Sequence, residues 1–111
     1  TAAKLYSYSF KEYLNSDKNY FYDMNMQGIY LSNHSYGPDN VDIYDFMSQS
    51  TDNFIASHTD NIAVVSSGNS RKDFDEYWLI RDFASAKNVI TVGAIDKDKN
   101  ITYFSSTGPI N

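Results

Sequence analysis

Ile62-Ala63-Val64-Val65-Ser66-Ser67-Gly68-Asn69 is the stretch on which the fold turns. Its first half is a short apolar run of strand length. It has no polar alternation, as expected for a strand covered on both faces. Ser67-Gly68-Asn69-Ser70 ends it in a turn. A second run of the same kind, Val89-Ile90-Thr91-Val92-Gly93-Ala94, lies further along.

Outward from these two runs, strands and helices alternate. Leu5-Tyr6-Ser7-Tyr8-Ser9-Phe10 places aromatics at every second position and reads as a strand. Ser16-Asp17 begins a helix that reaches about Gln27 and stops at Gly28. Ile29-Tyr30-Leu31-Ser32-Asn33 reads as a strand, and His34-Ser35-Tyr36-Gly37-Pro38 as a loop. Asp39 or Asn40 caps the strongest helix, in which Ile43, Phe46, Met47, Ser50, Phe54 and His58 share a face. Residues 71–85 are charged and irregular. Asp96 to Asn100 is a polar turn, and Ile101-Thr102-Tyr103-Phe104 a last short strand. The chain carries no internal repeat. This order implies an α/β fold, a parallel sheet flanked by helices. In such sheets the working residues lie at the carboxyl ends of the strands, here Ser35-Tyr36-Gly37 and Ser67-Gly68-Asn69.

The 111 residues suit one small domain of about 100–200 residues. A hydrophobic share of 41% argues against disorder throughout. Nine Lys and Arg against fourteen Asp and Glu give −5, which argues against a nucleic-acid or anionic-membrane binder, since either needs a basic face. With no cysteine, disulfides, thiolate catalysis and zinc–thiolate sites are excluded. No apolar run approaches the ~18 residues of a membrane span. The abrupt ends, Thr1-Ala2-Ala3 and Pro109-Ile110-Asn111, read as cuts through a larger protein. Ten Tyr and seven Phe leave a sugar-binding module as a minor alternative.

Several groups invite a chemical reading. His58, near a helix end, and His34, after a strand, are expected to be structural, and no Gly-x-Ser-x-Gly elbow is present. Asp96-Lys97-Asp98-Lys99-Asn100 resembles the start of a calcium loop but lacks its later Gly and Glu, so a solvated turn is expected. Asp39, Asp42 and Asp45 fit N-capping. Asn69 has two readings. It can be half of a Gly-Asn turn, or a neutral side-chain donor aimed at a developing oxyanion.

Three blocks stand in order: Ile62 to Asn69, then Ala86-Lys87-Asn88-Val89-Ile90-Thr91-Val92-Gly93-Ala94-Ile95-Asp96, then Phe104-Ser105-Ser106-Thr107-Gly108-Pro109. Together they resemble the subtilisin-like serine peptidases, the subtilases. Ile29 to Gly37 also resembles that family's strand ending in Ser-x-Gly, and Ala2-Ala3-Lys4-Leu5-Tyr6 the segment after its Met-Ala-Pro loop. The resemblance is weakest over residues 10–27.

The resemblance implies a partial subtilisin-like three-layer fold, with residues 1–111 the central part of a catalytic domain. The family's Asp and His lie upstream of such a segment and its Gly-Thr-Ser nucleophile downstream, so the chain alone is expected to be inactive. Asn69 matches the oxyanion-hole Asn. Ser35, Tyr36 and Gly37 match one wall of the substrate cleft, and Ser66, Ser67 and Gly68 the opposite wall. Ser70-Arg71 departs from the residues the family usually has after Gly-Asn, and Asp82-Phe83-Ala84-Ser85 from its pocket-floor segment. Ala84 is the expected lining position there. The implied substrate is a peptide or protein, and the implied partner is the rest of the protease domain. No cofactor is expected in this segment, and a structural calcium is allowed in the intact enzyme. The expected setting is secreted or the cell envelope of a bacterium. The competing reading is a subtilase-like domain without its triad, used for partner binding. An isolated strand edge is expected to make the chain self-associate.

Overall fold

The computed structural model of the protein describes residues 2–9, 20–37, 44–72, 80 and 82–108. Helix α1 (Tyr20–Met26) leads into strand β1 (Leu31–His34). Helix α2 (Phe46–Ser57) and strand β2 (Ile62–Ser66) follow. Short 3₁₀ turns at Ser70–Lys72 and Asp82–Ser85 precede strand β3 (Ile90–Val92). The three strands form one parallel sheet in the order β1-β2-β3. The α/β class and the parallel sheet therefore stand as the sequence implied, and β2 has the bounds expected of it.

Other boundaries move for local reasons. The expected caps Ser16, Asp17, Asp39 and Asn40 lie outside the described residues. Asp45 is the N-cap of α2, its carboxylate accepting from the Ser48 amide at 3.0 Å. Strand β1 starts two residues later than expected because the Ile29 amide is used by the exit of α1, donating to the Met24 carbonyl at 2.9 Å. Gly28, with φ +74°, makes that exit. Ladder bonding starts next door, where the Tyr30 carbonyl accepts from the Ile62 amide at 2.7 Å.

The strand expected from Leu5 is not formed over its described residues 5–9. Tyr8 packs on α1 instead. The Tyr8 ring stands edge-on to Tyr20 at 5.8 Å, and its hydroxyl oxygen accepts from Gln27 at 3.2 Å. The last expected strand is a single antiparallel bridge, Ile95 to Ile101, around a turn at residues 96–100. The Asp96 carboxylate organises that turn, accepting from the amides of Asp98 at 2.8 Å and Asn100 at 2.9 Å.

The sheet has one covered and one open face among the described residues. Ala63 and Val65 point to the covered face with His34. Phe54 and Ile55 from α2, together with Phe21 and Val89, pack around Ala63. Phe83 and Ala84 pack with Val65, and Tyr36, Met47, Ile80 and Val89 surround them. On the opposite face Leu31 pairs with Ile62, Ile90 with Val64 and Val92 with Ser66, and Leu31, Ile62, Ile90 and Val92 are 67%, 49%, 55% and 48% exposed.

Buried polar groups tie α2 to the segment that enters β3. The Ser48 and Ser85 hydroxyls bond at 2.9 Å. The Asp52 carboxylate, 8% exposed, accepts from the Lys87 and Asn88 amides at 3.0 and 2.7 Å and from the Tyr44 hydroxyl at 2.8 Å. Charge-assisted bonds to backbone donors are among the stronger polar contacts, so Asp52 fixes where β3 begins.

Candidate active site

Parallel strands deliver their carboxyl ends to one edge. The register pairs His34 with Val65 and Ser66 with Val92, so the three exit loops leave side by side. After β1, Ser35 and Gly37 are exposed and Tyr36 is half-buried against the Val65–Phe83–Ala84 cluster. The Ser35 hydroxyl accepts from the Asn33 side chain at 3.0 Å. At the end of β2, Ser66 is exposed, while Ser67 is buried and donates its amide to the Val92 carbonyl at 2.9 Å.

Gly68 then turns the chain with φ +98°, a left-handed conformation that a side chain rarely adopts. It brings Asn69 to the surface. Among the described residues no group hydrogen-bonds the Asn69 carboxamide. A neutral amide held on a defined turn and unbonded in the resting state is a donor available for an incoming charge. The Phe104-Ser105-Ser106 block closes over this corner. The Ser105 hydroxyl accepts from the Ala94 amide at 3.0 Å and lies 3.3 Å from that of Ser67. The Ser106 amide donates to the Gly68 carbonyl at 3.0 Å.

His34 shows the opposite character. Its ring is 6% exposed, between Phe21 at 5.2 Å and Phe83 at 5.9 Å. Its Nε2 lies 2.9 Å from the Ser32 hydroxyl and its Nδ1 2.8 Å from the Tyr36 hydroxyl. A serine within reach of a histidine superficially resembles a nucleophile and its base. Burial, however, lowers the imidazole to about 4, too weak a base to activate a hydroxyl at neutral pH. A tyrosine hydroxyl, not a carboxylate, holds the second nitrogen. The pair is structural, as the sequence suggested. His58 is the C-cap of α2, its ring stacked on Phe54 at 4.2 Å and its Nδ1 2.9 Å from the Phe54 carbonyl.

Comparison with known proteins turns this geometry into a family assignment. A model of the subtilase family matches residues 1–111. The chain belongs to the subtilase family. A fungal relative, the subtilisin-like proteinase Mp1 of Magnaporthiopsis poae, is 45% identical over 49 residues. That match covers 44% of this chain and 11% of the relative, so the chain corresponds to a small part of the relative's length.

In this subtilase the candidate cleft residues Ser35, Tyr36 and Gly37 follow β1, Ser66 ends β2, and Ser67 and Gly68 follow it, with Asn69 next in the chain. Ala84 is placed differently. It is 4% exposed, inside the cluster that Tyr36 covers, and its carbonyl accepts from the Thr91 hydroxyl at 2.7 Å. Among the described residues, no cluster of three His, Cys, Asp or Glu could hold a metal, and no helix is long and apolar enough to cross a membrane. The sequence reading gave no individual role to Ser105 and Ser106. Their bonds to the residues after β2 span 36–38 residues, and the sequence signal for them is the block in which they stand.

Proposed function

We propose that this chain is the central part of the catalytic domain of a subtilisin-like serine endopeptidase, with the Ser-His-Asp triad carried on segments outside residues 1–111. The observation that carries the reading is the exposed Asn69 carboxamide, unbonded among the described residues, on the left-handed Gly68 turn at the carboxyl edge of a parallel sheet. When the serine oxygen attacks the scissile carbonyl, negative charge moves onto the carbonyl oxygen. Asn69 Nδ2–H donates to that oxyanion beside a backbone N–H. Because the amide does not titrate, it donates at any pH the rest of the site tolerates. The backbones of Ser35-Tyr36-Gly37 and Ser66-Ser67-Gly68 line the two sides of an extended peptide. Main-chain pairing holds a peptide whatever its sequence, which suits an endopeptidase.

The substrate is accordingly a peptide or protein, without nucleic acid or membrane. No cofactor is assigned to this segment, and any structural calcium belongs to the intact enzyme. The proposed setting is secreted or cell-envelope. The matched relative is fungal and lends no support to a bacterial source. The test is hydrolysis of a denatured protein substrate by the full-length protein and by residues 1–111 alone. Turnover by the full-length protein only is expected. Inhibitor-sensitive turnover by the fragment, or none by a folded full-length protein, contradicts the reading.

The open sheet face also has a consequence for the fragment. Leu31, Ile62, Ile90 and Val92 expose apolar surface on one face, and β1 is an edge of the sheet among the described residues. Such surfaces associate in water. Sedimentation of residues 1–111 is expected to show oligomers that grow with concentration. A monomer stable across concentrations contradicts the expectation.

A further inference from the structure

We infer that Ser106 is a positioning residue for the Asn69 carboxamide, fastening the backbone on both sides of it. The inference rests on the oxyanion role proposed for Asn69. Two bonds from one buried residue bracket the asparagine. The Ser106 amide donates to the carbonyl of Gly68 at 3.0 Å, and the Ser106 hydroxyl oxygen accepts from the amide of Ser70 at 3.1 Å. Asn69 is the residue between those two anchor points. A further bond, from the Arg71 amide to the Phe104 carbonyl at 3.3 Å, continues the same attachment.

Ser106 is 4% exposed, so its contacts are shielded from competing water. The fit is close. A Cβ built on Gly68 would lie 3.0 Å from the Ser106 hydroxyl oxygen, so glycine is needed there for space as well as for its φ. Ser105 does a separate task, joining the ends of β2 and β3 through Ser67 and Ala94. An oxyanion donor is effective only within a few tenths of an ångström of its working position. The side chain of Asn69 has no bond of its own to hold it among the described residues, so its placement falls to the backbone that Ser106 grips.

The experiment uses the full-length protein with S106A, N69A and the double variant, measured by steady-state kinetics and by amide exchange. S106A is expected to lower kcat about tenfold with KM nearly unchanged. In the N69A background the same change is expected to cost only about twofold, because the donor it positions is already gone. An equal loss in both backgrounds overturns the inference, as a merely structural serine would behave that way. Independently of activity, exchange at the Ser70 amide is expected to quicken about tenfold in S106A while the amides of Ala63 and Val65 stay protected. Unchanged exchange at Ser70 overturns the clamp. If the folded full-length protein has no turnover, the peptidase reading fails, and exchange at Ser70 still decides the clamp.

Discussion

Replacing Asn69 by alanine in the full-length enzyme is expected to lower kcat by about 10²–10³ while KM stays nearly constant. In subtilisin, itself a member of this family, loss of one such donor has that cost, and the magnitude is borrowed from that relative. The direction follows from this chain. The carboxamide is exposed and unbonded among the described residues, so removing it leaves no buried group unsatisfied and little to destabilise. On the role proposed for Asn69, what is lost is a contact made only when charge develops on the substrate oxygen. Ground-state binding, on the same proposal, rests on the backbones around the ends of β1 and β2, which the substitution leaves in place. A rise in KM with kcat unchanged would place Asn69 in substrate binding instead.

The second large effect is on acid stability, through His34. Burial against Phe21, Phe83 and Tyr36 lowers its imidazole from 6.5 to about 4. Above pH 6.5 the ring is neutral in both folded and unfolded chains, and it has no effect on stability. As pH falls from 6.5 toward 4, the unfolded chain takes up a proton that the folded chain refuses, and unfolding is favoured step by step. Below about pH 4 the folded ring also protonates and the loss levels off. The full loss amounts to about 3 kcal/mol. Urea unfolding of the full-length protein across this range is expected to show a steeper loss of stability than its His34→Gln variant, whose side chain cannot charge. Parallel pH profiles would contradict the burial argument.

Ile62 to Ser66 forms the central strand of the described sheet, and its apolar run marks it as a strand. Gly68-Asn69 was legible as a turn because only glycine tolerates that backbone. Elsewhere the outcome depended on partners distant in sequence. The aromatic alternation at Tyr6 and Tyr8 fits a strand equally well, but the contacts of Tyr8 lead to α1 rather than to a ladder. Isoleucine 29 reads as strand on propensity, yet its amide serves the helix exit. The apolar run in β2 implied cover on both faces, and the described residues cover one. At the site, Asn69 was singled out by its chemistry and its place in a family block. The grip of Ser106 on its neighbours was not, because a serine 36 residues away carries no local sign of what it will bond.

The central claim is that the end of β2 presents an oxyanion donor in a working peptidase. The most direct test is the affinity of a peptidyl boronate, which forms a tetrahedral adduct, compared with the matching product peptide on the full-length protein and on Asn69→Ala. The wild-type protein is predicted to bind the boronate far more tightly than the peptide. The substitution is predicted to remove about 10² of that preference and leave peptide affinity unchanged. A wild-type protein that binds boronate and peptide equally would contradict the account and mark a binding domain built on this fold.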